Sequence, residues 1–242
     1  MPEVYLYQTV HVLDGGCRHL AAHLAVLDRW SQELFGRPFR PREHTVAQQI
    51  KTLTEQAAPA GCDLSQFVRL VVPASGEPGF RLEFAGISLY RGYDLRSLTP
   101  DAVTRQYELP FPEAPTSARE AAAQLARQQV RLLNATVAVR CDRDGVVCTA
   151  DDAPLFAVRG RTVFTSPADP NVERALGLRA IEAAGLALEE QPVMRGELAR
   201  FDELFFIDHR GVTALAHCDG HPYMALMAQR VADSLRTLFP KM

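Results

Sequence analysis

The chain has 242 residues, is 47% hydrophobic and carries a formal net charge of -3. It can bury a core in one large domain or two small ones, and its charge gives no nucleic-acid footprint. No apolar run is long enough to cross a membrane, and the start Met1-Pro2-Glu3-Val4 does not read as a signal peptide.

In chain order, Val4 to Leu13 alternates and is rich in Val and Tyr, so it predicts a strand, with Asp14-Gly15-Gly16 as a turn. A helix follows, with Leu20, Leu24, Leu27 and Leu34 on one face and Gly36 as its stop. Thr45 and Gln48 predict a capping box for a second helix carrying Val46, Ile50 and Leu53. Strands are predicted at Phe67 to Val72 and Phe80 to Tyr90, around the turn Ser75 to Gly79, and at Val103 to Leu109. Pro110-Phe111-Pro112-Glu113-Ala114-Pro115 is stiff and extended. It predicts a domain boundary: an N-terminal domain at 1–109, a linker at 110–116 and a C-terminal domain at 117–242.

Ser117 and Glu120 predict a capped helix with Ala118, Ala121, Ala122 and Leu125 inward. Ala135 to Cys141 reads as a strand, and Leu155 to Val158 with Thr162 to Thr165 as a hairpin. Asp169-Pro170 predicts the cap of a helix that ends at Gly185. Glu203 to Asp208 and Val212 to Ala216 are strands. Tyr223 to Phe239 is a last helix, with Met224, Met227, Val231, Leu235 and Leu238 inward. The whole predicts an α+β, or mixed α/β, protein.

Of the 26 basic residues only Lys51 and Lys241 are lysines. The other 24 are arginines, which do not form Schiff bases. Five cysteines (Cys17, Cys62, Cys141, Cys148, Cys218) show neither CxxC spacing nor the density of a disulfide scaffold, so reduced thiols in a cytoplasmic protein are expected. Asp151-Asp152 reads as a polar turn rather than a metal site. His217-Cys218-Asp219-Gly220-His221 reads as an Asp-Gly turn, since its spacing matches no familiar zinc pattern. No metal is expected.

Several words, in this order, resemble the class IV (fold-type IV) aminotransferases, the family of D-amino acid and branched-chain aminotransferases and aminodeoxychorismate lyase. They are Tyr7-Gln8-Thr9-Val10-His11; Leu20 to Leu27 with His23; Asp144-Gly145-Val146-Val147 through Leu155-Phe156; Gly185 through Gln191-Pro192; Leu198 to Phe206; and Arg210-Gly211-Val212-Thr213. The resemblance implies a D-amino acid aminotransferase-like fold, with a small N-terminal α/β domain, a larger C-terminal domain and an interdomain cleft holding pyridoxal phosphate. It also implies a homodimer.

Residue by residue, the resemblance places threonine or serine where the family has its Schiff-base lysine, at Thr116 or Ser117 within Ala114 to Ser117. The phosphate-binding arginine corresponds to Val26, the glutamate on the pyridine nitrogen to Thr149, and the threonine opening the phosphate-binding helix to Glu173. The expectation from these losses is that pyridoxal phosphate binding is lost and that no cofactor is held. The chain then reads as a repurposed or inactive family member, a pseudoenzyme with a degenerate site. Ser117, Arg119, Asp151 and Arg174 remain as cleft candidates, with a small-molecule anion as a ligand. A second reading is an enzyme independent of pyridoxal phosphate, with Asp208, His209 and Arg210 as its catalytic candidates. A third is a noncatalytic subunit pairing with an active relative. A fourth is a working pyridoxal-phosphate aminotransferase or lyase, which requires the family's words to align differently.

Overall fold

The computed structural model describes residues 3–57, 64–76, 79–169 and 171–238. Cys62, Pro170, Phe239, Lys241 and part of the Ser75 to Gly79 turn lie outside the described residues. The chain divides into two compact units. Of the described residues, the first holds those up to Gly92 together with Ala114–Ala118, and the second holds Tyr93–Glu113 and those at 119–238.

The first unit contains β1 (Tyr5–Leu13), β2 (Gly16–Cys17), α1 (Leu20–Phe35), α2 (Glu43–Ala57), β3 (Gln66–Pro73) and β4 (Arg81–Ile87), with sheet order β2-β1-β3-β4. Alternation along β1 sends Leu6, Val10 and Val12 into the core. Leu20, Leu24, Leu27 and Trp30 of α1 join them there. Gly36 ends α1 at φ 66, a conformation glycine adopts freely, and its N–H bonds to Ser31 O. The second helix departs from expectation. It starts at Glu43, and the N–H groups of Thr45 and Val46 both reach Arg42 O, at 3.0 and 3.2 Å. Thr45 therefore sits inside the first turn, where its hydroxyl cannot act as the helix cap.

The second unit contains β5 (Asp94–Leu95), β6 (Asp101–Gln106), α3 (Ser117–Arg131), β7 (Val137–Cys141), β8 (Val147–Ala150), β9 (Ala153–Arg159), β10 (Thr162–Thr165), α4 (Val172–Ala183), β11 (Ala187–Glu190), β12 (Glu203–Asp208), β13 (Gly211–Ala214), β14 (His217–Cys218), β15 (His221–Pro222) and α5 (Leu226–Leu238). Only the first two residues of α3 go with the first unit. The sheet order is β15-β14-β6-β7-β8-β9-β12-β13-β5, with β10 beside β9 and β11 beside β10. β5 and β6 precede the proline-rich segment, yet both pair in this sheet, β6 lying parallel to β7. Asp151 and Asp152 join β8 to β9 as a two-residue turn with φ of 46° and 76°, the mirror-image geometry that suits the twist of a hairpin.

Three helices differ in detail from the sequence reading. In α3 the buried residues are Arg119, Ala123, Ala126 and Val130, while Leu125 is 68% exposed. The helix lies against Val103, Tyr107, Ala135 and Ala138, so the face with the smaller side chains turns inward. α4 is capped by Asn171, whose Oδ1 accepts from Arg174 N at 2.7 Å. α5 begins at Leu226 and buries Ala228, Val231, Ala232 and Leu235, leaving Met224 ahead of the helix and exposed. The buried Glu203 carboxylate accepts from Met227 N and Ala228 N at 2.9 and 3.0 Å, which fixes where α5 starts. No helix among the described residues is long and apolar enough to cross a membrane.

Candidate functional site

In the first unit, the segment carrying Thr116 runs along the free edge of β1. Tyr7 N donates to Pro115 O at 2.9 Å, Leu6 and Thr116 form an antiparallel bridge, and Tyr5 N donates to Ser117 Oγ at 3.4 Å. Thr116 is buried and presents a hydroxyl there, not an amine. Ser117 is already the first residue of α3, and its hydroxyl is engaged by β1 rather than by a capping box. On α1, Val26 packs against the apolar core of the first unit. A buried polar pair lies near it in sequence: His23 Nδ1 and Gln8 Oε1 are 2.8 Å apart. Lys51 is on α2, its side chain half exposed and 3.9 Å from Glu55.

In the second unit, β7 and β8 carry a second set of polar groups. Thr149 is the register partner of Arg140. A register shift between Arg140 and Cys141 leaves Cys148 unmatched, and its thiol donates to Val146 O at 3.4 Å. Burial pushes that thiol up, so it is a poor nucleophile. Asp151 accepts from Ala138 N at 3.0 Å and from Arg127 at 3.2 Å. Arg119, almost wholly buried, pairs with Asp152 and donates to Pro112 O at 3.0 Å. Arg119 is thus committed to the β8–β9 turn.

Asp208, His209 and Arg210 form the turn from β12 to β13. Asp208 accepts from Arg210 N and Arg210 Nε, both at 2.8 Å, so acid and base pair with each other. Burial pulls His209 down to about 4 against the opposing pull of Asp208, which makes it a neutral imidazole near pH 7. Glu173 opens α4. Burial, reinforced by Asp208 and Asp152, raises its carboxyl to about 7, while its own backbone N–H and Arg119 act the other way. Arg174, next in sequence, turns elsewhere: its guanidinium meets Thr165 Oγ1 at 3.1 Å and Glu190 at 2.6 Å.

Thus Arg119, Asp151, Asp152, Glu173, Asp208 and Arg210 act on one another within the second unit. Arg174 is held at the β10–β11 side. The His217 to His221 run is a hairpin turn, with His217 on Asp101 and the Asp219 carboxylate on Thr104. Arg140 is absent from the residues that the sequence pointed to. Its signal was a charged residue in the middle of the otherwise apolar run Val137–Cys141.

The chain matches the model of the family "Amino-transferase class IV" over residues 5–208. No curated protein is similar enough in sequence to count as a match. Among solved structures, a fold IV transaminase from Curtobacterium pusillum superposes with a TM-score of 0.77 at 17% identity, covering 96% of this chain and 84% of that one. The branched-chain amino acid aminotransferase of Escherichia coli gives 0.78 at 15%, covering 98% and 85%. An aminotransferase from Brucella abortus, described as bound to the cofactor PLP, gives 0.79 at 17%, covering 97% and 88%. The fold is the mixed α+β fold of these enzymes.

These findings correct one expectation. The sequence reading anticipated no cofactor. The family match and the PLP-bound neighbour point to pyridoxal phosphate rather than to none. Two of the positions that the resemblance sets against it carry hydroxyl side chains in this chain. Thr116 offers no amine, and Thr149 no carboxylate.

Proposed function

The chain belongs to the class IV aminotransferase family, and on that premise we propose that it does not carry out lysine-dependent amino transfer. Pyridoxal phosphate is the cofactor class this reading keeps. What changes is the way it is held and used. The carrying observation is Thr116, buried and bridged to Leu6, which offers a hydroxyl at the position where the resemblance implies the amine of a covalent link. Lys51 belongs to α2 and faces Glu55, and Lys241, the other lysine of the chain, lies outside the described residues.

The test is to incubate the protein with pyridoxal phosphate, reduce with borohydride and map the peptides. The reading expects no lysine-linked adduct that coincides with amino-transfer activity. A stoichiometric adduct on Lys51 or Lys241 in a protein that transfers amino groups would refute it.

The protein is further proposed to be a homodimer. The family resemblance supports this, as does the apolar surface along the outside of α3. Leu125 is exposed there, and Leu132, just past the helix, is 84% exposed. Large apolar side chains in such a row favour a partner over water.

A further inference from the structure

We propose that Arg105 and Arg140 form an oxyanion-binding site on the side of the second unit's sheet that faces α3. Two strands set the geometry. Arg105 on β6 and Arg140 on β7 are register partners in a parallel pair, and Arg140 is in turn the register partner of Thr149 on β8. Register partners project from the same face, so two guanidinium groups and a hydroxyl stand in a row. The face is identified by its neighbours. Val103 and Tyr107 on β6 and beyond, and Ala138 on β7, share the parity of Arg105 and Arg140, and they pack with Ala126 and Val130 of α3.

The row lacks an acid. Arg140 is 5% exposed, and the Nε atoms of both Arg140 and Arg105 are buried without a hydrogen-bond partner. Among the described residues neither guanidinium has an ion pair. The carboxylates nearby are committed elsewhere. Tyr107 is acted on by Arg140, Arg119, Asp151 and Asp152, and Cys148 by Arg140, Asp142 and Glu113, so these acids lie in the same neighbourhood. Yet Asp151 is bound to Ala138 N and Arg127, and Asp152 to Arg119. Asp142 takes the N–H groups of Asp144 and Val146, and Glu113 that of Asp169.

A buried charge without a partner is costly, and like charges placed directly across two strands are destabilising. The arrangement is physically sensible if an anion completes it. Paired guanidiniums with an adjacent hydroxyl suit a small oxyanion, a phosphoryl or carboxylate group, because each fork can donate two parallel N–H bonds. The site stands independently of whether the protein transfers amino groups.

The experiment is thermal unfolding of the purified protein in millimolar inorganic phosphate or succinate, against sodium chloride of equal ionic strength. At least one of the two oxyanions raises the melting temperature beyond the chloride control, and the larger shift tells a phosphoryl from a carboxylate ligand. Arg140→Met abolishes that shift and itself raises the melting temperature of the unliganded protein. Arg105→Met, at a more accessible position, weakens binding at least tenfold and decides the matter if Arg140→Met does not fold. Two results overturn the proposal: no shift with either oxyanion in the wild type, or the same shift in the Arg→Met variants.

Discussion

Arg140 and Thr149 face each other across β7 and β8, a guanidinium opposite a hydroxyl. Thr149→Glu would place a carboxylate where Arg140 has none. The expected result is a gain of about 1–3 kcal/mol in urea unfolding, the size of a charge-assisted hydrogen bond. The same substitution in an Arg140→Met background should lose that gain, because a double-mutant cycle isolates the pair. Equal effects of Thr149→Glu in both backgrounds would show that the two side chains do not meet.

Two groups give the stability a pH dependence of opposite signs. Burial raises Glu173 from 4.5 to about 7. Between those values the folded protein keeps a proton that the unfolded chain has released, so raising the pH costs stability. Burial lowers His209 from 6.5 to about 4. Between those values the unfolded chain binds a proton that the folded protein refuses, so lowering the pH costs stability. Glu173→Gln should therefore remove the loss on going from pH 4.5 to 7, and His209→Asn the loss on going from pH 6.5 to 4. Unfolding curves measured from about pH 4 to 8 separate them, and an unchanged profile in either variant would argue against that assignment.

Gly211 follows the Asp208 to Arg210 turn at φ 120°, and a Cβ there would meet Asp94 O at 2.5 Å. β5 and β13 pair at this point, so the obstacle is backbone and cannot swing aside. Gly211→Ala should cost roughly 1–3 kcal/mol from strain alone, and more from separating the strands. A variant as stable as the wild type in chemical denaturation would mean that β5 does not pack as described.

The proposed dimer should survive dilution to micromolar concentration in light scattering. Stable interfaces bury on the order of 1,000 Å² or more. Leu125→Ser with Leu132→Ser should shift the mass toward the monomer without lowering the cooperativity of unfolding. A wild-type protein that is monomeric at every concentration would end this part of the account.

How far the sequence was legible depended on local chemistry. α1 could be read because Leu20, Leu24 and Leu27 recur at helical spacing and Gly36 closes it with a positive φ. The inner face of α3 could not, because Leu125 is the more hydrophobic residue, yet the sheet accepts Ala123 and Ala126. Strand pairing was hidden too. Nothing local says that β6, ahead of the prolines, lies beside β7 beyond them. At the candidate site, Thr116 and Thr149 are legible in the sequence only as residue types, and their correspondence to lysine and glutamate is what the resemblance implies. What remained invisible was that Arg140 stands opposite Thr149, since that follows from register. The pairing of Asp208 with Arg210, two residues apart across one turn, is a local feature that the structure shows.

The central claim is that amino transfer by this chain, if measured, owes nothing to lysine. The direct measurement compares the wild type with the lysine-free variant Lys51→Arg, Lys241→Arg. Both are saturated with pyridoxal phosphate and given a panel of amino donors and 2-oxo acid acceptors. The account predicts no lysine-dependent turnover: the two proteins give the same product yield, at the level of free cofactor. Turnover in the wild type that disappears in the lysine-free variant would contradict it.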